Sequence, residues 1–370
     1  MVNDLVRLNL KTLEKYISSL YGSKVKFISA GQLGGKLSKL STQLKGFGYG
    51  KPYLLEFKVG KKKKKVVLET MKKDSFGHEY PWDRAQNLIF AYTTYNKLPK
   101  HVKALDVGVF TRKGLLKSLG DYEEFFILME MVEGKEYYHD LEEISRRKSL
   151  TELDLSRCRV LSDYLVKIHS KKKNSPELYK RRIRELVGHG ECIMGLIDNY
   201  PENLDFITQT ELNQIERKCV EWRWKLKNKT YRLCQVHGDF HPWNILFQKG
   251  TNFRVLDRSR GEWGEAADDV SSLTINYLFF SIQTFGKLEG GFKDLFELFW
   301  ENYLKKTGDE ELLEVVQPFY AWRSLVLANP MWYPTLSYEV RRKILNFTSN
   351  VLTVEKFEFK NVNSYLNPIN

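Results

Sequence analysis

β-type apolar runs crowd the first 131 residues of this chain and helical periodicity takes over beyond residue 150, an order that limits the fold more than any other feature. Residues 4–20 read as a helix, with Leu5, Leu8, Leu10, Leu13, Tyr16, Ile17 and Leu20 at helical spacing and Tyr21-Gly22 ending it. A glycine-rich region follows, first Gly31, Gly34 and Gly35, then Gly46, Gly48 and Gly50. Residues 53–59 and 66–71 read as paired strands, with Gly60 and lysines 61–65 forming a basic hairpin tip. The pattern predicts a helix over 82–96 and another strand over 124–131, closing on Val132-Glu133-Gly134. Later β-like runs are short, around Val236 and at 254–256. The expectation is an α+β, two-lobed fold: a small β-rich N-terminal lobe over 1–131 and a larger, mainly α-helical C-terminal lobe over 132–370.

At 370 residues, with 42% hydrophobic side chains, the chain has ample material for such a core. Lys and Arg outnumber Asp and Glu by 59 to 46, a net charge of +13 that favours anionic company such as phosphate esters, RNA or an acidic surface. Cys158, Cys192, Cys219 and Cys234 include no C-x-x-C pair, so neither a zinc site nor a redox dithiol is indicated, and a reducing compartment suits them. The N-terminus has no apolar core behind a basic start, so no signal peptide is expected. The longest apolar stretch, 273–285, contains Asn276, Ser281 and Gln283 and falls short of the ~20 residues of a membrane span. The expectation is a cytoplasmic protein without a membrane segment.

The chemistry concentrates in Val236-His237-Gly238-Asp239-Phe240-His241-Pro242-Trp243-Asn244, followed thirteen residues after Asn244 by Asp257. An Asp, an Asn five residues later and a second Asp beyond a short hairpin divide the labour of phosphoryl transfer. The first accepts the proton of an attacking hydroxyl; the other two offer hard oxygens to magnesium on nucleotide phosphates. Any one of these residues alone could equally be a turn former or, for His237, a hydrogen-bonded core histidine.

The string resembles the aminoglycoside phosphotransferase and choline kinase superfamily, whose pattern H-G-D-x-H-x-x-N is matched by His237, Gly238, Asp239, His241 and Asn244. Its downstream element is matched by Asp257, Gly264 and Asp269-Val270. The resemblance covers about residues 25–280 and implies a protein-kinase-like fold, ATP or GTP as phosphate donor, and Mg2+. It further implies Asp239 as catalytic base, Asn244 and Asp257 as metal ligands, and Asp269 as brace of the loop. A hinge over 126–134 would meet adenine with backbone groups around Glu130 and Met131, and 161–169 looks like the helix before the loop. Gly46, Gly48 and Gly50 stand where a phosphate-covering hairpin belongs, with Gly31 to Gly35 the rival.

Two departures stand out. The position of the usual third-strand cation holds Glu69, so either Lys72 contacts the phosphates, with Glu79 or Asp83 as acidic partner, or Glu69 faces Arg84 in a charge-swapped pair. After Asp257 come Arg258, Ser259 and Arg260, where many relatives carry an acid at the Ser259 position. Arg258 or Arg260 then contacts an anionic substrate or the transferring phosphate, or else pairs with Glu262, Glu265 or Asp268. Trp263, Tyr320, Trp322, Trp332 and Tyr333 form either a stacking wall or ordinary core, and Arg323 within that stretch needs a partner.

The leading expectation is a kinase acting on a hydroxyl of a small metabolite: a sugar, amino alcohol or nucleoside. Lysines 61–65 and 171–173 and the basic run 180–184 motivate a second, a kinase acting on RNA or another polyanion. Glu69 and Ser259 motivate a third, a pseudokinase that binds without catalysing.

Overall fold

A computed structural model describes residues 9–32, 50–258 and 260–368 of the chain. It divides into two compact units, Met1–Met129 and Glu130–Asn370.

In the first unit α1 (Leu10–Leu20) is capped by the Asn9 side chain, which accepts from the Lys11 amide. Helix α1 lays Leu13 and Ile17 on an antiparallel sheet of order β1 (Val25–Gln32), β2 (Gly50–Val59) and β3 (Lys62–Met71). Among the described residues Leu13, Ile17, Val25, Leu55 and Phe57 are buried, and Tyr16, Tyr21, Phe27, Val59 and Val66 pack against the cluster of Ile17, Val25 and Phe57. Gly60, at φ +56°, supplies the positive dihedral that a two-residue hairpin turn needs, so the ladder closes at Val59 and Lys62. Lysines 62–65 therefore lie in β3 and only Lys61 sits in the turn, correcting the expected basic tip. Helix α2 (Pro81–Tyr95) starts with Pro at its first turn and with the Asp83 carboxylate accepting from the Tyr80 amide at 2.8 Å. A separate hairpin joins β4 (Gly108–Phe110) to β5 (Leu116–Ser118).

The strand expected over 124–131 does not form. Those residues join no ladder among the described residues, with Phe126 92% and Leu128 90% exposed. Apolar alternation makes a strand only where a neighbouring strand takes up its backbone groups. Pairing begins just beyond, in the second unit, at β6 (Lys135–Glu136), which joins β8 (Ile245–Phe247) and β9 (Phe253–Val255). Gly134 precedes it because a side chain there would meet Leu246 Cβ at 3.0 Å and the Phe247 carbonyl at 3.1 Å.

Helices build the rest of the second unit: α3 (Tyr137–Arg147), α4 (Glu152–His169), α5 (Pro176–Gly188), α6 (Ile193–Asp198) and α7 (Gln209–Leu226), then α8 (Ala266–Phe285), α9 (Gly290–Thr307), α10 (Gln317–Ala328) and α11 (Tyr338–Val351). A short ladder of β7 (Cys234–Gln235) with β10 (Trp263–Gly264) closes the region between α7 and α8. Helix α8 is buried on nearly every face and packs against α3, α9, α10 and α11, which explains its apolar composition without any membrane role. Among the described residues no helix is long and apolar enough to cross a membrane. The four cysteines are buried and unpaired, their thiols pushed up by desolvation.

One buried ionic cluster ties these elements together. Arg232 grips both carboxylate oxygens of Glu265 at 2.9–3.1 Å and reaches Asp309 at 2.8 Å and Glu311 at 3.0 Å. Tyr179 donates to Glu265 as well, at 2.8 Å. Removing the arginine would leave a fully buried carboxylate without its counter-charge. Arg232→Met should therefore lose about 3–5 kcal/mol of unfolding free energy, read from urea denaturation.

Candidate active site

The loop 236–244 is held by a single carboxylate. Asp269, on the first turns of α8 and wholly buried, accepts the His237 amide and the Gly238 amide at 2.7 Å each. His169 at the end of α4 adds its Nε2 at 3.1 Å and is itself fixed by the Tyr303 hydroxyl at 2.7 Å. Burial opposes the charge on Asp269, but the His169 contact and the His237 amide hold its carboxyl below the usual range. Gly238 sits at φ +89°, where a side chain would also press on Arg260 Cβ at 3.1 Å, so glycine is required twice over. His237 is buried with its pKa lowered by desolvation, and it packs edge-on against Phe240.

Asp239 follows the glycine and is almost entirely buried. Its Oδ1 accepts from Arg323 Nη1 at 2.6 Å, with Arg260 Nη2 at 3.9 Å. Its Oδ2 faces His241 Nε2 at 3.5 Å and Asn244 Nδ2 at 3.4 Å. Burial works against the Asp239 charge, yet Arg323, His241 and Arg260 together hold the carboxyl well below the usual carboxylate range. Arg323 is equally buried and spends its other terminal nitrogen on the Gly238 carbonyl at 3.1 Å and on Asp268 at 2.5 Å. Burial, against the pull of Arg323 and with the push of neighbouring Asp269, lifts Asp268 to about 6.

The β8–β9 hairpin brings the remaining two candidates together, because the Leu256 amide bonds the Asn244 carbonyl at 2.9 Å one step beyond the ladder. The Asn244 side chain anchors its nitrogen on the Asp239 carbonyl at 3.0 Å. Its amide oxygen and the exposed Asp257 carboxylate have no hydrogen-bond partner among the described residues. Asp257 adopts φ +50°, an uncommon conformation for a residue with a side chain and one that aspartate tolerates better than most. Among the described residues no three or more His, Cys, Asp or Glu are grouped to hold a metal by themselves. Two hard oxygens without protein partners instead fit Mg2+, which completes its shell with water and phosphate oxygens.

The other predicted residues scatter. Arg258 donates to the carbonyls of Val236 at 2.7 Å and Glu262 at 3.1 Å, so its guanidinium is engaged by backbone. Arg260 pairs with Glu191 at 2.9 Å, a partner absent from the three carboxylates expected for it. Trp263 carries Lys173 over its ring at 4.9 Å and receives Arg182 on its carbonyl at 3.0 Å; its contacts lie there rather than at Asp239. Tyr320 is core, Trp322 is buried beside Arg323, and Trp332 is half exposed. Tyr333 packs on Trp243, which also stacks on Tyr138 at 5.1 Å.

In the first unit Gly50 opens β2 with the Glu69 side chain lying directly over it. Lys72 is the residue just after β3. Arg84 donates to the His78 carbonyl at 2.8 Å and Asp83 caps α2, so the charge-swapped pairing of Arg84 with Glu69 is not what the fold builds. Glu130 and Met131 lie exposed in the segment before β6. Gly34, Gly35, Gly46, Gly48 and Ser259 fall outside the described residues. Asp268 and Glu191 escaped the sequence reading as site residues; a second acid beside Asp269 was the only local signal.

Two outcomes test this geometry. Asp269→Ala should strip two buried amides of their acceptor, lowering stability by about 3 kcal/mol or more in thermal unfolding. For Asp268, the fold holds the proton up to about pH 6, whereas an unfolded aspartate releases it near 3.9. Its contribution thus favours the fold at acid pH and is lost as pH rises through 6. Asp268→Asn should lose less stability than the parent as pH rises from about 4 to about 6 in urea titrations, and the two should run parallel above that.

The profile of the APH family, a phosphotransferase enzyme family, matches residues 100–294. No curated protein matches the chain. Among solved structures the chain is similar to the amicoumacin kinase hAmiN in complex with AMP-PNP, Ca2+ and Ami, at 14% identity and a TM-score of 0.41, with 90% of each chain covered. An ethanolamine kinase of Plasmodium vivax follows at 14% identity and TM-score 0.35, covering 92% of this chain and 80% of that one. The choline kinase LicA from Streptococcus pneumoniae matches at 14% identity and TM-score 0.34, over 93% of this chain and 98% of its own. With the family profile spanning more than half of its length, the chain belongs to the APH phosphotransferase enzyme family.

Proposed function

We propose that the protein transfers the γ-phosphoryl group of ATP, or of GTP, to a hydroxyl of a small metabolite, with Asp239 as base and Mg2+ on Asn244 and Asp257. The observation that supports this reading is that two oxygens without protein partners, on Asn244 and Asp257, sit at one end of the β8–β9 hairpin, and that Asn244 is tied to Asp239 in the segment just before it. Asn244 and Asp257 would hold magnesium, which would supply neutralisation of the charge on the transferring phosphate. Everything else falls to the chain. Arg323 occupies Oδ1 of Asp239, so Oδ2 is the oxygen left to receive the acceptor hydroxyl. A carboxylate held this far below its usual range is a weak base, suited to orienting the hydroxyl and taking its proton late, as a loose transition state requires. Backbone groups around Glu130 and Met131 are assigned to adenine, and Gly46, Gly48, Gly50 and Lys72 to the phosphates. A pseudokinase reading finds no support in a site that keeps all three polar residues.

With γ-labelled ATP, magnesium and a fractionated extract, label should enter the small-molecule pool. Asp239→Asn should reduce that transfer about 10²–10⁴-fold while staying folded by circular dichroism, with a lowered melting temperature because the charge held by Arg323 is lost; equal transfer by the variant would overturn the assignment.

A polyanionic acceptor is the second reading, favoured by one feature of the first unit. Lys26, Lys58 and Lys63 are exposed and stand directly opposite one another across β1, β2 and β3, an unfavourable row that an anion would relieve. If RNA is bound there, affinity should fall steeply with salt, and Lys58→Ala should flatten the slope in filter binding.

A further inference from the structure

We infer that Arg260, lying beside Trp322, is an anion subsite for the acceptor and that Glu191 of the same chain occupies it in the absence of ligand. The inference rests on the kinase reading of the Asp239 site and names the acceptor class: a small hydroxyl compound bearing a carboxylate or phosphate group close to the hydroxyl.

Of the two guanidinium groups at Asp239, Arg323 has no room for a ligand. Its terminal nitrogens are spent on Asp239, the Gly238 carbonyl and Asp268, and although its Nε also lacks a partner among the described residues, its side chain is only 7% exposed against 22% for Arg260. Arg260 differs. Its guanidinium carbon lies 4.4 Å from the centre of the Trp322 ring, and only Nη1 makes a hydrogen bond among the described residues. Its Nε is buried without a partner there, and its Nη2 stands 3.9 Å from Asp239 Oδ1, too far for a hydrogen bond. A guanidinium with spare donors next to an aromatic ring suits a planar carboxylate or a phosphate.

The partner on Nη1 is what an occluding side chain looks like. Glu191 sits in the connection between α5 and α6, and its backbone is anchored at the site because its carbonyl accepts from Trp322 Nε1 at 3.1 Å. Its carboxylate, however, is 67% exposed where it meets Arg260 at 2.9 Å. Exposed ion pairs hold weakly, so an incoming anion displaces this carboxylate at little cost. Because Arg260 Nη2 is within 4 Å of Asp239, an anion on Arg260 lies only a few bonds from a hydroxyl on Asp239. The same charge disfavours cationic amino alcohols, since a like charge would face Arg260.

Two measurements test this separately from the kinase assignment. In the first, calorimetric titration with inorganic phosphate and with malonate compares the parent, Glu191→Gln and Arg260→Met, with Arg260→Lys as a folded control that keeps charge. The expected result is binding about two- to five-fold tighter in Glu191→Gln and about ten-fold weaker or more in Arg260→Met. Phosphate alone or malonate alone would identify which anion the subsite takes. Equal affinity across parent, Glu191→Gln and Arg260→Met overturns the subsite. In the second, a metabolite extract is split by charge into cationic, neutral and anionic pools before reaction with γ-labelled ATP. Label in the anionic pool supports the inference; label confined to the neutral or cationic pool overturns it. No label in any pool, together with the expected titrations, overturns the kinase reading and leaves the anion subsite supported.

Discussion

A carboxylate with no access to water anchors the functional half of this protein. Burying the charge of Asp269 carries a large desolvation cost, offset only because two backbone amides and an imidazole converge on it. Those donors come from the 236–244 loop and from the end of α4, so satisfying one charge fixes the loop against two helices. The position of Asp269 in the first turns of α8, where the helix dipole favours negative charge, adds to the same end. A loop with a positive-φ glycine would otherwise sample many conformations.

The adjacent acid turns the same helix end to a second use. Asp268 points to Arg323 while Asp269 points to the loop amides, and Arg323 in turn grips Asp239. One guanidinium thus favours the charge on two carboxylates: with His241 and Arg260 it keeps Asp239 ionised, whereas at Asp268 burial, helped by neighbouring Asp269, outweighs it. Arg232 performs a purely structural version of this arrangement deeper in the fold, holding Glu265, the residue that immediately precedes α8. Both ends of the site are therefore pinned by buried arginines whose counter-charges lie far away in sequence.

The first unit is built differently. Its third strand is lysine-rich where a core strand would be apolar. Only the inward face of β3, with Val66 and Leu68, is shielded from solvent, and the lysines extend the ladder beyond the part that packs. The tight turn at Gly60 explains why they are strand residues at all.

What could be read from the amino-acid order alone was whatever depends on neighbours in sequence. The spacing of His237, Asp239, Asn244 and Asp257 disclosed the loop and hairpin, because those residues share one short stretch of backbone, and helical periodicity beyond residue 150 marked the second unit as mainly helical. The segment 124–131 misled for the complementary reason: its alternation is local, but a strand exists only through a partner, and none pairs with it among the described residues. Arg323 was recognisable as a charge in need of a counter-ion, yet its partners Asp239 and Asp268 are 84 and 55 residues away. Glu191 was invisible, since nothing on an exposed connection announces that folding will carry it to Arg260, 69 residues on. Local order thus determined which polar residues share the 236–257 stretch, and tertiary packing alone decided how Asp239 is charged and which carboxylate meets Arg260, because electrostatic partners are chosen by proximity in space.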